Sequence, residues 1–204
     1  RKMLKVGFLA SHGGSNMQAI IDACKTGTLQ AEPCVIITNN SKSGAMERGK
    51  KEEIPVFHIS GKTHPGPGGE DRAVLGALRE YGTEVICLAG YMKKLGPETL
   101  AAYKNRILNI HPALLPEFGG KGFYGERVHE AVLAAGAKES GPTVHLADGK
   151  YDNGPILAQR RVPILPGDTA DDLAARVLEQ EHLIYAETLQ KIATGEIDLD
   201  AAGS

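Results

Sequence analysis

Apolar residues follow two rhythms along this chain. One is a series of short, mostly apolar runs, at positions 4–10, 34–38, 56–59 and 84–89. Runs of this length, bounded by Gly, Pro or Asn, suit strands buried on both faces of a parallel sheet. The other rhythm is helical. In 15–25, Met17, Ile20, Ile21 and Cys24 fall on one face, and in 70–81 Val74, Leu75 and Leu78 do the same. A further helix is expected over 44–53. The glycine- and proline-rich segment 61–69 reads as a loop.

Strand and helix therefore alternate through the first half, which predicts an α/β, Rossmann-like fold. Its mostly parallel, twisted sheet should be flanked by helices on both faces. The second half changes character. A short helix over 97–103 leads to a strand at 107–110 that runs into His111-Pro112. A glycine-rich loop at 119–125 precedes a helix over 126–135. Two strands at 143–147 and 156–162 flank a loop rich in Asp and Gly, so an antiparallel extension is expected there. Pro166-Gly167-Asp168-Thr169 opens a long last helix, with Thr169 and Asp172 at capping-box spacing. Leu173, Val177, Ile184 and Leu189 face inward, and Gly195 ends the helix. There is no internal repeat. The expectation is one domain, 1–204, in two halves of about 4–105 and 106–195.

Composition narrows the function. A chain of 204 residues can bury about 70% of its unfolded surface and needs no disulfide or metal staple. The 25 glycines and 11 prolines exceed the average but stay below the roughly 25–30% of low-complexity chains, so the excess belongs to loops. With 23 basic and 25 acidic residues, the net charge of −2 offers no footprint for nucleic acid or an anionic membrane. Cys24, Cys34 and Cys87 sit in or beside apolar stretches without Cys-x-x-Cys spacing, which suits a reducing, cytoplasmic compartment. The opening Arg1-Lys2-Met3-Leu4-Lys5 has no signal-peptide pattern, and no apolar run is long enough to span a membrane. The histidines and cysteines lack metal-ligand spacing, so no metal is expected.

In a parallel sheet, ligands bind beyond the carboxyl ends of the strands, and three segments there could carry chemistry. Ser11-His12-Gly13-Gly14-Ser15-Asn16 joins a strand to a helix, so its glycines and free N–H groups could receive a phosphate. It could equally be a tight turn capped by Ser15 or Asn16. It matches neither Gly-x-Gly-x-x-Gly nor a Walker loop. Ser11 and Ser15 lack a nucleophile-elbow context. Asn109 and His111 lie two apart at a strand end, so both side chains point to one side, while Ile110 faces the core. An amide beside an imidazole can stabilise a developing oxyanion and move a proton; both could also simply satisfy backbone groups. The segment Asp148-Gly149-Lys150-Tyr151-Asp152-Asn153-Gly154-Pro155 is either a solvated turn or a loop presenting a carboxylate to His111. Such a carboxylate would raise the His111 pKa and keep the ring protonated. Spacing does not choose between Asp148 and Asp152. Glu181 and His182 interrupt the apolar face of the last helix and read as a surface pair.

These residues resemble a known family. Leu108-Asn109-Ile110-His111-Pro112-Ala113-Leu114-Leu115-Pro116 is the most specific segment. Gly14-Ser15-Asn16-Met17-Gln18-Ala19-Ile20, Leu88-Ala89-Gly90-Tyr91-Met92, His145, Asp152-Asn153-Gly154-Pro155 and Glu179-Gln180-Glu181-His182-Leu183-Ile184-Tyr185 accompany it. Over about 4–195 the chain is similar to the folate-dependent phosphoribosylglycinamide formyltransferases of purine synthesis. The resemblance implies that Asn109, His111 and Asp152 are catalytic, which favours Asp152 over Asp148. It implies that Gly14, Ser15 and Asn16 bind the substrate phosphate and that Glu181 binds the ribose, against the surface reading. Leu88, Met92, Lys93, Leu95, Ala147 and Asp148 match segments lining the folate site. The first half would then bind phosphate, and the second would carry catalysis and folate. There are departures: His12-Gly13-Gly14 where Gly-Asn-Gly is common, Lys93 where Arg is common, and Asn153 where a second Gly is common. Lys lacks the bidentate geometry of Arg toward a folate carboxylate.

The resemblance implies formyl transfer from 10-formyltetrahydrofolate, as donor cosubstrate, to the amine of glycinamide ribonucleotide. No nucleic acid, membrane or metal is implied, and a homodimer is left open. Two rival readings are a 10-formyltetrahydrofolate hydrolase and a non-catalytic nucleotide-binding domain. The first expected strand starts at Leu4, which should leave no room for a hydrolase's N-terminal regulatory domain. A methionyl-tRNA formyltransferase should add a C-terminal RNA-binding domain, and none is expected within the residues up to Ser204.

Overall fold

The computed structural model describes residues 2–150 and 152–204; Arg1, at the head of the chain, and Tyr151, in the third candidate segment, lie outside them. Among the described residues nine strands are formed: β1 (Leu4–Ala10), β2 (Ala31–Thr38), β3 (Val56–His58), β4 (Val85–Leu88), β5 (Ile107–His111), β6 (Glu139–Ser140), β7 (Thr143–Leu146), β8 (Ile156–Gln159) and β9 (Val162–Pro163). One sheet has the order β3-β2-β1-β4-β5-β7-β8; β6 and β9 pair separately. The first five strands of the large sheet are parallel, and β7 and β8 extend it antiparallel, as the sequence predicts. The helices are α1 (Ser15–Lys25), α2 (Gly44–Lys51), α3 (Gly69–Glu80), α4 (Pro97–Ala102), α5 (Glu126–Ala134), α6 (Ala170–Ala193) and α7 (Leu199–Ala202).

Alternation along β1 explains the continuous apolar runs. Val6, Phe8 and Ala10 join one core with Met17, Ile20 and Ile21 of α1 and Ile184, Tyr185 and Leu189 of α6. Leu9 joins the opposite core with Val74, Leu75 and Leu78 of α3. A third cluster, with Ala113, Val128, Val132, Val162, Leu173 and Val177, packs α5 and the start of α6 around the turn that follows β5. Thr169 and Asp172 form the capping box that starts α6.

Two expectations change. The run 156–162 is two strands, because the chain leaves the large sheet at Arg160 and Arg161. Their guanidinium groups pair with Glu187 and Glu139, and Val162 then pairs with Ser140. β2 begins at Ala31 rather than 34. Its early part contains Pro33, which an interior strand accepts only at a bulge, and the β1–β2 register shifts there, between Val6 and Gly7.

Candidate functional site

β5 and β7 build the centre of the site. Asn109 pairs directly with His145 and His111 with Thr143 across the antiparallel ladder, so these side chains share one face. Leu108, Ile110, Val144 and Leu146 take the other face and pack into the α1–α6 core. The Tyr185 hydroxyl of α6 donates to the carbonyls of Leu88 (2.8 Å) and Leu108 (3.0 Å), which ties the end of β4 to β5. Thr143 Oγ1 donates to Ala113 O (2.7 Å) and accepts from Leu115 N (3.1 Å), holding the turn that follows His111.

Asp152 is the carboxylate that reaches this face. Its Oδ2 lies 3.4 Å from His111 Nδ1 and its Oδ1 lies 3.4 Å from His145 Nε2. Asp152 Oδ2 also accepts from Gly120 N (3.0 Å). Asp148 is exposed, and its Oδ1 accepts from Lys150 N instead (3.1 Å). Gly119 permits the close approach: a Cβ there would stand 2.5 Å from Leu115 Cδ2 and 3.1 Å from Asp152 Cβ. Burial pushes the Asp152 pKa up, but His145, His111 and the Gly120 N–H outweigh it, and the net shift is downward.

His145 is only 1% exposed and was not among the sequence candidates for a site role. Its Nδ1 lies 3.0 Å from Leu146 O, so Nδ1 carries the proton that this carbonyl accepts. Its Nε2 lies 3.3 Å from Asn109 Nδ2 and 3.4 Å from Asp152 Oδ1. Asn109 Nδ2 keeps a hydrogen for another acceptor. The strand pairing that exposes this role could be read only with the β5–β7 register in hand.

His111 departs from expectation. It is 4% exposed, and Nε2 stands 2.7 Å from Phe118 O, where the N–H donates. Burial pulls its pKa down, and Asp152 and the Phe118 carbonyl only partly restore it, so the net shift is below the ordinary 6.5. The expected carboxylate is present, but desolvation of the ring outweighs it.

The second cluster lies at the start of α1. Gly14, in the left-handed region at φ 70°, is the N-cap, and no side chain caps the helix. The turn is thus not capped by Ser15 or Asn16. The first helical bond runs from Gln18 N to Gly14 O (2.9 Å), so the N–H groups of residues 15–17 have no intrahelical partner. Asn16 Nδ2 donates to Glu181 Oε1 at 3.1 Å, and His182 Nε2 lies 3.4 Å from Ser15 Oγ. Glu181 is 8% exposed, which overturns the surface reading. It shares the inward face of α6 with Val177 and Tyr185, each four residues away. Burial pushes its pKa up to about 7, against one opposing amide donor from Asn16.

Ser11, buried after β1, ties these regions together. Its Oγ donates to Asn39 Oδ1 (2.6 Å) and accepts from Met92 N (2.8 Å). The six residues matched to a folate site do not share one pocket. Leu95 lines a cavity of about 290 Å³ with Tyr91, Thr99, Gly61, Gly66 and Gly68. Ala147 and Asp148 line another of about 330 Å³ with Leu100 and Pro155. Leu88, Leu95, Leu100 and Ala147 pack against the same core. Met92 is 51% exposed, and Lys93 is exposed beside it. Among the described residues no group of three His, Cys, Asp or Glu side chains could hold a metal ion, and no helix is long and apolar enough to cross a membrane.

A family model described as formyl transferase matches residues 4–189. The chain belongs to the formyl transferase family. It is 42% identical over 193 residues to the chloroplastic phosphoribosylglycinamide formyltransferase of Vigna unguiculata, covering 95% of this chain and 62% of that protein. It is 34% identical over 196 residues to the phosphoribosylglycinamide formyltransferase of Escherichia coli K12, covering 96% of this chain and 90% of that one. The crystal structure of glycinamide ribonucleotide transformylase 1 from Symbiobacterium toebii matches with a TM-score of 0.87 at 38% identity, covering 95% of this chain and 89% of that one. The chain thus spans less than two thirds of the Vigna protein but most of the bacterial one.

Proposed function

We propose that this protein transfers the formyl group of 10-formyltetrahydrofolate to the amine of glycinamide ribonucleotide. The observation that carries the reading is the convergence of Asn109, His111 and Asp152 at the carboxyl end of β5 in a chain of this family. The neutral amine attacks the formyl carbon and creates a tetrahedral oxyanion. The free hydrogen on Asn109 Nδ2 and an N–H of His111 stabilise that oxygen. His111 Nε2–H now serves the neutral Phe118 carbonyl. Exchanging that partner for an anion gives a stronger bond only once charge develops, which is where a contact lowers the barrier. Asp152, held ionised, orients His111 and relays the amine proton to the departing nitrogen through water.

Gly14, Ser15 and Asn16 hold the phosphate at the start of α1, and Glu181 holds the ribose hydroxyls. The donor lies against Leu88, Met92, Lys93, Leu95, Ala147 and Asp148. The Ala147–Asp148 cavity, at about 330 Å³, is at the lower end of the roughly 300–1,000 Å³ of small-molecule sites. The three free cysteines support a reducing, cytoplasmic setting.

A spectrophotometric assay of the folate product, with and without the ribonucleotide, tests the reading. Product should appear only with the ribonucleotide, and inorganic phosphate should compete with it. Equal rates without ribonucleotide would mean a hydrolase; no product in either case would leave a binding domain.

A further inference from the structure

The loop before α1 can present N–H groups to an anion only if its carbonyls point elsewhere, and α2 takes them. His12 O accepts from Ala45 N at 3.0 Å, and Gly13 O accepts from Arg48 Nε at 2.6 Å. The Arg48 guanidinium also reaches along α1, with Nη1 3.5 Å from Gln18 Oε1. The side chain is half-buried, and among the described residues no carboxylate lies within ion-pair distance of it. Glu52, the acid that contacts the same Gln18, pairs with Lys25 at 3.1 Å. Arg48 is therefore a cation without a countercharge, fixed by its hydrogen bond to the loop. It lies close enough to His182, the ring beside Ser15 Oγ, to hold that pKa down after burial. On the other side of the loop, Asn16 Oδ1 is buried without a hydrogen-bond partner.

We propose that Arg48 is the fixed cation of the acceptor's phosphate subsite. It turns the Gly13 carbonyl away from a phosphomonoester dianion and supplies positive charge beside it. This rests on reading Gly14–Asn16 as the phosphate loop. Arg suits the task because its planar fork holds a carbonyl through Nε while its other N–H groups keep fixed directions toward an anion, whereas the Lys ammonium is a point charge on a flexible stem.

Calorimetric titration with glycinamide ribonucleotide and with its dephosphorylated riboside tests this on Arg48→Gln and Arg48→Lys. Arg48→Gln should weaken the ribonucleotide by about tenfold to a hundredfold, the scale of hydrogen bonds to charged groups, and leave the riboside unchanged. It should also flatten the salt dependence of ribonucleotide binding. The KM for the ribonucleotide should rise in step with the lost affinity. Arg48→Lys should keep the salt dependence and recover only part of the affinity. If Arg48→Gln fails to fold, Arg48→Lys against wild type decides by the same two ligands. Equal losses for ribonucleotide and riboside, or no loss for the ribonucleotide, overturn the proposal, as does a wild-type protein that binds neither. Arg48-dependent binding without formyl transfer would keep the phosphate cation and remove the activity. Transfer with Arg48-independent affinity would do the reverse.

Discussion

Glu181 on the inward face of α6 and Asp152 beside β5 are both withdrawn from water, yet they are driven in opposite directions. Burial raises the proton affinity of each. Glu181 has one amide donor to offset it, from Asn16, and its pKa rises to about 7. Asp152 has His145, His111 and the Gly120 N–H, and it is held below the ordinary range. Burial alone therefore does not set the charge state; the polar groups and charges brought along with it do. The two charge states suit different tasks. A carboxyl that titrates near 7 can donate as well as accept. A carboxylate kept ionised can only accept, which suits a group that orients an imidazole.

Neutralising the reaction centre breaks this comparison most strongly. Asp152→Asn should reduce turnover by about 10²–10⁴, the range for general acid–base groups. Asn109→Ala and His111→Ala should each lose about 10²–10³, as oxyanion donors do. All three should keep the fold, read by circular dichroism and unfolding temperature. A near-normal rate in any of them removes that residue from the mechanism. Glu181→Gln should act chiefly on the KM of the ribonucleotide, so a fall in kcat as deep as that of Asp152→Asn would erase the distinction.

The contrast was only half legible in the sequence. Asn109 and His111 could be placed on one side of a strand because the side-chain period is two. The parallel strands were legible because apolar runs on a two-faced sheet need no alternation. His145 was hidden because its contact with Asn109 depends on strand register, and periodicity carries no register. Spacing could not choose between Asp148 and Asp152; that choice rests on a loop whose Gly119 and Gly120 close on Asp152 from 32 residues away. Glu181 read as surface because a polar residue in an apolar stripe is ambiguous until its partner Asn16, 165 residues distant, is known. The bridging role of Ser11 was hidden for the same reason, since its partners come from the loops after β2 and β4.

A second, smaller effect separates the carboxylates through stability. Glu181 titrates near 7 in the fold against 4.5 as its reference, so the folded state holds the proton more tightly. Its contribution is fully present below 4.5 and is lost as pH rises through about 7. At roughly 1.4 kcal/mol per unit, the difference is on the order of 3 kcal/mol. Asp152 has the opposite sign: its contribution is present above its reference of 3.8 and is lost as pH falls through its lowered value. Between pH 5 and 8 only Glu181, of the two, gives a slope. Urea unfolding of wild type and Glu181→Gln at both pH values isolates it from the histidines. The variant should gain relative stability at pH 8, and a difference that does not change with pH would mean that Glu181 is ionised throughout.

The smallest effect concerns the partner of Asp152 rather than Asp152 itself. His111 is pulled down by burial and pushed partly back by the Asp152 carboxylate and the Phe118 carbonyl. Its ring should therefore titrate below 6.5 in the free protein, followed by the NMR shifts of its carbon-bound protons. In Asp152→Asn the carboxylate's support is gone, so the midpoint should move lower still. A wild-type midpoint above 6.5 would mean that Asp152 outweighs desolvation and that the ring meets the oxyanion already charged. An upward move in Asp152→Asn would mean that the carboxylate is not ionised beside the ring, and the opposition between Asp152 and Glu181 would fail with it.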